Sequence, residues 1–304
     1  MLWLLLPIFL LGALTPIQTA ANSRLRQDVV SPFVASLVSF FIGTVYLFVV
    51  TLVEKGGIAI DRRLFSTLPW WAWLGGVCGL WGLTVNIIIF PRLGAMLTAL
   101  MPMMGQIIMG VIIDSFGLLG APHFPLSALR LLAVGIILCG MFMVIGGEAP
   151  ANKGGGSLVW KAIGFSGGAV FAMQPSMNSL LSVGLYSSVH AAFVSFFTAT
   201  VVLLLIAVAL PANRRHLPAV FSLRRPWWSW LGGFIGGTFV AGFAFFASRT
   251  GTGLLLVTGI CGLLACSLAI DRFGWLGSPR KKIRPLQYVG LLCVVAGIMV
   301  LRLG

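Results

Sequence analysis

Runs of about 20 mostly apolar residues recur along this chain, separated by short polar or basic connections. They fall near residues 2–21, 33–53, 70–90, 93–113 and 128–147, and again near 162–181, 189–210, 227–247, 251–270 and 286–303. A helix of that length crosses the hydrocarbon core of a bilayer. The runs leave little chain over, and no soluble two-domain protein could bury them all. The pattern predicts an all-α integral membrane protein of ten transmembrane helices.

The pattern also repeats. Pro69-Trp70-Trp71-Ala72-Trp73-Leu74-Gly75-Gly76 returns 157 positions later as Pro226-Trp227-Trp228-Ser229-Trp230-Leu231-Gly232-Gly233, and Ile113-Asp114-Ser115-Phe116-Gly117 returns as Ile270-Asp271-Arg272-Phe273-Gly274. At an offset of 156, Gln18 and Asn22 match Gln174 and Asn178, and Ser39-Phe40-Phe41 matches Ser195-Phe196-Phe197. One five-helix unit is therefore present twice, over 1–150 and 151–304. Five crossings is an odd number, so the second unit is expected to enter the membrane inverted relative to the first. Many secondary transporters are built from such inverted repeats, with the substrate held near the midplane between them.

Charge fits that inversion. On the side that would hold both termini lie Lys55, Arg62, Arg63, Arg130, Arg249 and Arg302; the other fourteen of the 20 Lys and Arg residues fall on the opposite side. By the positive-inside rule the basic side is cytoplasmic and both termini face outward, in a cytoplasmic (inner) membrane. The net charge of +14 is then a signature of membrane orientation, with some attraction to anionic headgroups, rather than a nucleic-acid surface. Residues 2–21 end in small residues, like a signal peptide, but no Lys or Arg precedes the apolar run and the counterpart at 162–181 lies mid-chain. A retained helix is expected.

Enzyme chemistry finds no foothold. Cys78, Cys139, Cys261, Cys266 and Cys293 lie in apolar spans without metal-ligand spacing, and His123, His190 and His216 are scattered. No cofactor, metal or catalytic residue is expected.

Polar residues within the spans carry the remaining signal, because they are costly in hydrocarbon and face a bundle interior or a wet cavity. Gln18 and Asn22 share one face of the first helix, as Gln174 and Asn178 do in the sixth, beside Pro16 and Pro175. These pairs suit a midplane substrate site; they equally suit helix–helix hydrogen bonding, with Gly12 and Gly168 allowing close approach. Asn86 and Gln106 are further candidates whose repeat mates, Phe243 and Leu263, are apolar. Asp114 and Asp271, at the ends of the fourth and ninth spans, could couple transport to a proton or cation, or hydrogen-bond nearby backbone. Arg92 and Arg249 sit in the short turns within each half and read as snorkelling to headgroups, and the Trp pairs at 70–71 and 227–228 as interfacial anchors.

The motifs Gln18-x-x-x-Asn22, Ser39-Phe40-Phe41-Ile42-Gly43-Thr44, Pro69-Trp70-Trp71-x-Trp73-Leu74-Gly75-Gly76, Pro91-Arg92-Leu93-Gly94, Gly105-Gln106 and Ile113-Asp114-x-Phe116-Gly117 together resemble the YdcZ-like family of the drug/metabolite transporter superfamily. The second half departs from them where Ser248 replaces the Pro and Leu263 the Gln. The resemblance implies a fused pair of five-helix units that moves a small-molecule solute among membrane lipids. Small multidrug exporters of the same superfamily trade a proton for a cationic drug through a carboxylate in the first helix. Here Gln18 and Gln174 stand at that depth and do not titrate, which favours neutral or zwitterionic solutes. The reading is a secondary transporter working by alternating access; a lipid flippase and a non-transporting membrane scaffold are the alternatives.

Overall fold

The computed structural model describes residues 2–29, 31–146, 158–215, 217, 227–275 and 283–303. Within them the chain is helical, without strands: α1 (Leu2–Val29), α2 (Pro32–Lys55), a short α3 (Leu64–Thr67), α4 (Gly75–Phe116), α5 (Ala128–Gly146), α6 (Leu158–Leu185), α7 (Ser188–Ala209), a short α8 (Pro211–Arg214), α9 (Leu231–Thr250), α10 (Thr252–Phe273) and α11 (Pro285–Leu303). Single 3₁₀ turns over Trp70–Leu74 and Trp227–Trp230 lead into α4 and α9. The junction expected between the two units, around 150, lies outside the described residues.

Among the described residues seven segments are long and apolar enough to cross a membrane: Trp3–Asn22, Phe33–Lys55, Ala99–Phe116, Ser188–Ala209, Trp227–Thr250, Thr252–Ile270 and Pro285–Leu303. The apolar helix Ala128–Val144 is shorter. The middle of α6 carries Gln174, Ser176, Asn178 and Ser179, all buried.

Two of the expected spans, 70–90 and 93–113, form the single element α4, and the neighbours of α6 show its course. Straight, its 42 residues would extend about 63 Å. Yet Gly75 backs on to Asn178 while Gly120, just beyond the C-terminus of α4, backs on to Leu180. At the other end both Ile89 and Met101 meet Gly164. The chain therefore reverses between Ile89 and Met101, and α4 consists of two limbs flanking α6. In the second half the equivalent reversal is an open break at Gly251, whose φ of +78° is a conformation that side chains with a Cβ avoid. Arg249 lies in the last turn of α9 with its guanidinium over the Phe245 ring; the side chain of Arg92 lies outside the described ones.

The two halves interleave. α1 packs against α9 and α10, as α6 packs against both limbs of α4. A Cβ on Gly12 would collide with the carbonyl of Gly259, and one on Gly168 with the carbonyl of Pro102. Residues 102 and 259 are themselves repeat mates, so one close crossing occurs twice. α2 and α7 pair antiparallel: Ser31 donates to Asn213 Oδ1 (2.9 Å), Thr44 meets Thr200 (2.9 Å), Phe48 lies against Phe193, and Ser187 donates to Glu54 (2.8 Å). α5 and α11 also pair antiparallel, with Gln287 Nε2 donating to the Val144 carbonyl at 3.1 Å near one end and Gly297 seated on Ile137 towards the other. In these two pairs equivalent helices run in opposite senses, and Thr44–Thr200 joins a residue to its own repeat mate. The main apolar core joins α4, α5, α10 and α11 around Leu100, Ile107, Ile137, Met141, Val257 and Val294.

Candidate functional site

Between the halves lies a cavity of about 280 Å³, lined by α1, α2, both limbs of α4, α6, α7, α9 and α10. Proline shapes its α1 wall. Pro16 cannot supply the N–H that would bond the Gly12 carbonyl, and Thr15 Oγ1 donates to that carbonyl instead, at 2.7 Å. The helix thus stays continuous and carries Thr15, Gln18, Thr19 and Asn22 along the cavity.

The duplicated glycine motif positions the amides. On α4, Gly75 and Gly79 form a groove one helical turn long, and Asn178 and Gln174 of α6 lie in it. On α9, Gly232 and Gly236 receive Asn22 and Gln18 of α1 in the same way. A methyl at Gly75 or Gly232 would occupy the place of the Asn side-chain oxygen. The second glycines of each motif, Gly76 and Gly233, let the Ser195 and Ser39 carbonyls approach. A motif that reads as a span start is thus also the seat for the other half's amides.

The two amide pairs differ in their bonding. Gln174 is 4 % exposed and Asn178 1 %, and both donate to Ser195 Oγ at 3.3 Å. Gln18 and Asn22 are only half-buried; among the described residues neither hydrogen-bonds the equivalent Ser39, and the Asn22 side-chain oxygen is buried without a partner. Gln18, Asn22, Ser36 and Ser39 all line the cavity, whereas Asn178 and Ser195 are closed off from it. Asn86 and Gln106 line it as well, so five of the six amides singled out in the sequence surround one space and the sixth, Asn178, lies directly behind it.

The rest of the lining is aromatic and aliphatic. Phe40, Phe171, Phe196, Phe239 and Phe243 contribute rings, Phe40 and Phe196 with centroids 4.9 Å apart. These two are repeat mates, one turn from the Thr44–Thr200 contact. No charged side chain lines the cavity among the described residues. In the sequence Ser39-Phe40 and Ser195-Phe196 stand out as repeat markers, and Ser39-Phe40 as part of a family motif, but not as cavity lining. The signal available was a polar–aromatic pair recurring inside two otherwise aliphatic spans.

Asp114 lies elsewhere. Its carboxylate accepts the N–H groups of Thr252 (2.6 Å) and Gly253 (2.8 Å), capping the N-terminus of α10 across the repeat boundary. The side chain of Asp271 lies outside the described ones. The Trp-rich turns expose Trp70 and Trp227 and bury Ala72 and Ser229, as interfacial anchors require. The five cysteines are free, and among the described residues no cluster of His, Cys, Asp or Glu could hold a metal.

Comparison with known proteins agrees with this architecture. A family model described as "Putative inner membrane exporter, YdcZ" matches twice, over residues 2–143 and 159–300. A protein known from its crystal structure is 15 % identical and superimposes over 98 % of this chain and 96 % of its own, with a TM-score of 0.66; at that identity the likeness shows the fold alone. No curated protein matches the chain. The chain belongs to the YdcZ family of the drug/metabolite transporter superfamily, as a multi-pass inner-membrane transporter carrying the family unit twice in tandem.

Proposed function

We propose that this transporter carries a small, net-neutral solute by alternating access, from a site between its two five-helix repeats. In this reading ten helices cross the membrane as two inverted units, the basic loops face the cytoplasm and both termini face outward. The observation that carries it is the unequal bonding of two symmetry-related amide pairs. At the end of the cavity formed by α6 and α7, Gln174, on the cavity wall, and Asn178, behind it, are both tied to Ser195. At the end formed by α1 and α2, Gln18, Asn22 and Ser39 line the cavity and, among the described residues, are not hydrogen-bonded to one another. The loops at the α1–α2 end are on the basic side, so this conformation is the cytoplasm-facing one. The outward-facing state follows from exchanging the roles of the repeats: Gln18 and Asn22 close on Ser39 as Gln174 and Asn178 leave Ser195.

Substrate chemistry follows from the walls. Neutral amides and hydroxyls satisfy hydrogen-bonding groups without fixing a charge, and the phenylalanine rings favour a flat apolar face. A neutral or zwitterionic solute with an aromatic or planar apolar part matches both; a compact metal or ammonium ion finds no counter-charge there.

Reconstituted into liposomes, the protein is expected to show saturable counterflow of such a solute. Losing one amide contact costs about 0.5–1.5 kcal/mol, so Gln18→Ala or Asn22→Ala lowers the apparent affinity about two- to twelvefold. Absence of saturable flux across a panel of neutral and zwitterionic solutes would overturn the reading, and scrambling of labelled lipid in its place would establish the flippase alternative.

A further inference from the structure

A second cavity, of about 540 Å³, lies at the end of the bundle where α1 begins and α11 ends, and it shares no residue with the central one. It is walled by Leu5, Leu254, Leu301 and Leu303 and carries three ionisable side chains, Asp114, Arg130 and Arg302. We propose that this cavity binds the phosphodiester of a membrane phospholipid, with Arg130 and Arg302 as its ligands.

The first argument is the state of Arg130. It is only 8 % exposed, one of its five N–H donors bonds the Phe124 carbonyl (3.1 Å), and the guanidinium lies over the Phe124 ring at 5.0 Å. Its Nε is buried without a partner. A guanidinium whose Nε is buried without a partner calls for a ligand rich in acceptor oxygens, and phosphate is matched to the guanidinium fork.

The second argument is charge. Among the described residues Asp114 is the one carboxylate at the cavity, and both of its oxygens already take the N–H groups of Thr252 and Gly253. Two arginines therefore face a carboxylate committed to a helix N-terminus, which leaves the cavity with surplus positive charge.

The third argument distinguishes a lipid from a soluble phosphate. The remaining wall is aliphatic, and it continues on to the outer surface of the bundle, where Leu303 is 80 % exposed and Trp3 and Leu6 of α1 are exposed too. Acyl chains lie along such a surface while the headgroup enters the cavity. Arg302, in the last turn of α11, sits at the depth where a long basic side chain meets headgroups.

The test uses detergent-purified full-length protein and native mass spectrometry, with dioleoyl phosphatidylglycerol as the probe, dioleoylglycerol as the headless control and inorganic phosphate as competitor. Phosphatidylglycerol is expected to form a retained adduct that dioleoylglycerol does not, and millimolar phosphate to displace it only weakly. Arg302→Gln, at an exposed position that does not endanger folding, is expected to lower adduct occupancy about tenfold. Arg130→Lys keeps the charge and loses the fork, and is expected to do the same. Equal adducts from both lipids, or unchanged occupancy in both variants, would overturn the proposal. Displacement by phosphate as effective as by lipid would also overturn it, by showing a soluble-anion site instead.

Discussion

The glycines of the duplicated Trp-rich motif act through what they leave out. At Gly75 the missing Cβ is replaced by the Asn178 amide, whereas a Cβ at Gly135, in α5, would have nothing within 4 Å. Gly75→Ala is therefore expected to cost about 1–3 kcal/mol by overpacking. Gly135→Ala should be neutral or stabilising by up to about 1 kcal/mol, since alanine is the better helix former. Thermal unfolding in detergent separates the two: the first variant loses several degrees, the second loses none. Ser195 gives a residue-scale test of the cavity's two ends. Ser195→Ala removes the acceptor that holds both Gln174 and Asn178, at about 0.5–1.5 kcal/mol per bond, and Ser39→Ala removes nothing that the present conformation uses. Cysteine accessibility at Thr19, which lines the cavity at its exposed end, should fall severalfold in Ser195→Ala and stay unchanged or rise in Ser39→Ala. A shift in the same direction for both variants would rule out the exchange of roles between the repeats.

At the scale of elements, the antiparallel pairing of α2 with α7 organises the centre. Thr44 Oγ1 donates to the Phe40 carbonyl (2.8 Å), so its bond with Thr200 is one in which Thr200 donates. Thr44→Val strands the Thr200 hydroxyl in a buried site, whereas Thr200→Val removes a donor and leaves Thr44 bonded to its own helix. The first is expected to cost about 1 kcal/mol, the second less, and the pair should show a coupling of about 0.5–1 kcal/mol in a double-mutant cycle followed by thermal denaturation. Additive costs would show that the Thr44–Thr200 contact contributes no stability. The open break at Gly251 and the reversal within α4 are the other element-scale contrast. Gly251 opens the second half so that α10 begins anew and takes Asp114 as its cap, tying the first half to the second through two backbone hydrogen bonds. The same aspartate that could be read as a coupling residue is, in this geometry, a joint between repeats.

At the scale of the whole molecule, each repeat lends its first helix to the other, so neither half encloses the cavity alone. The orientation of the bundle can be tested directly. Single cysteines at Arg63 and Arg214, in the connections at opposite ends of α2 and α7, are expected to react with a membrane-impermeant maleimide from opposite sides, Arg63 from outside and Arg214 only after permeabilisation. Labelling of both from one side would dismantle the inverted arrangement.

The helices, the duplication and the amide positions were legible in the sequence for physical reasons. Apolar length follows from bilayer thickness, repetition is a matter of letters, and amides in hydrocarbon are conspicuous because they are costly. What the letters could not carry is pairwise. That Asn22 rests on Gly232, that Ser195 rather than Ser39 holds its amides, and that α4 turns back on itself are properties of atoms brought together from positions far apart in the chain. Near-identical local sequences in the two halves occupy different states. Local sequence therefore determined which groups are available, and the tertiary packing alone decided which of them are satisfied and which line the cavity.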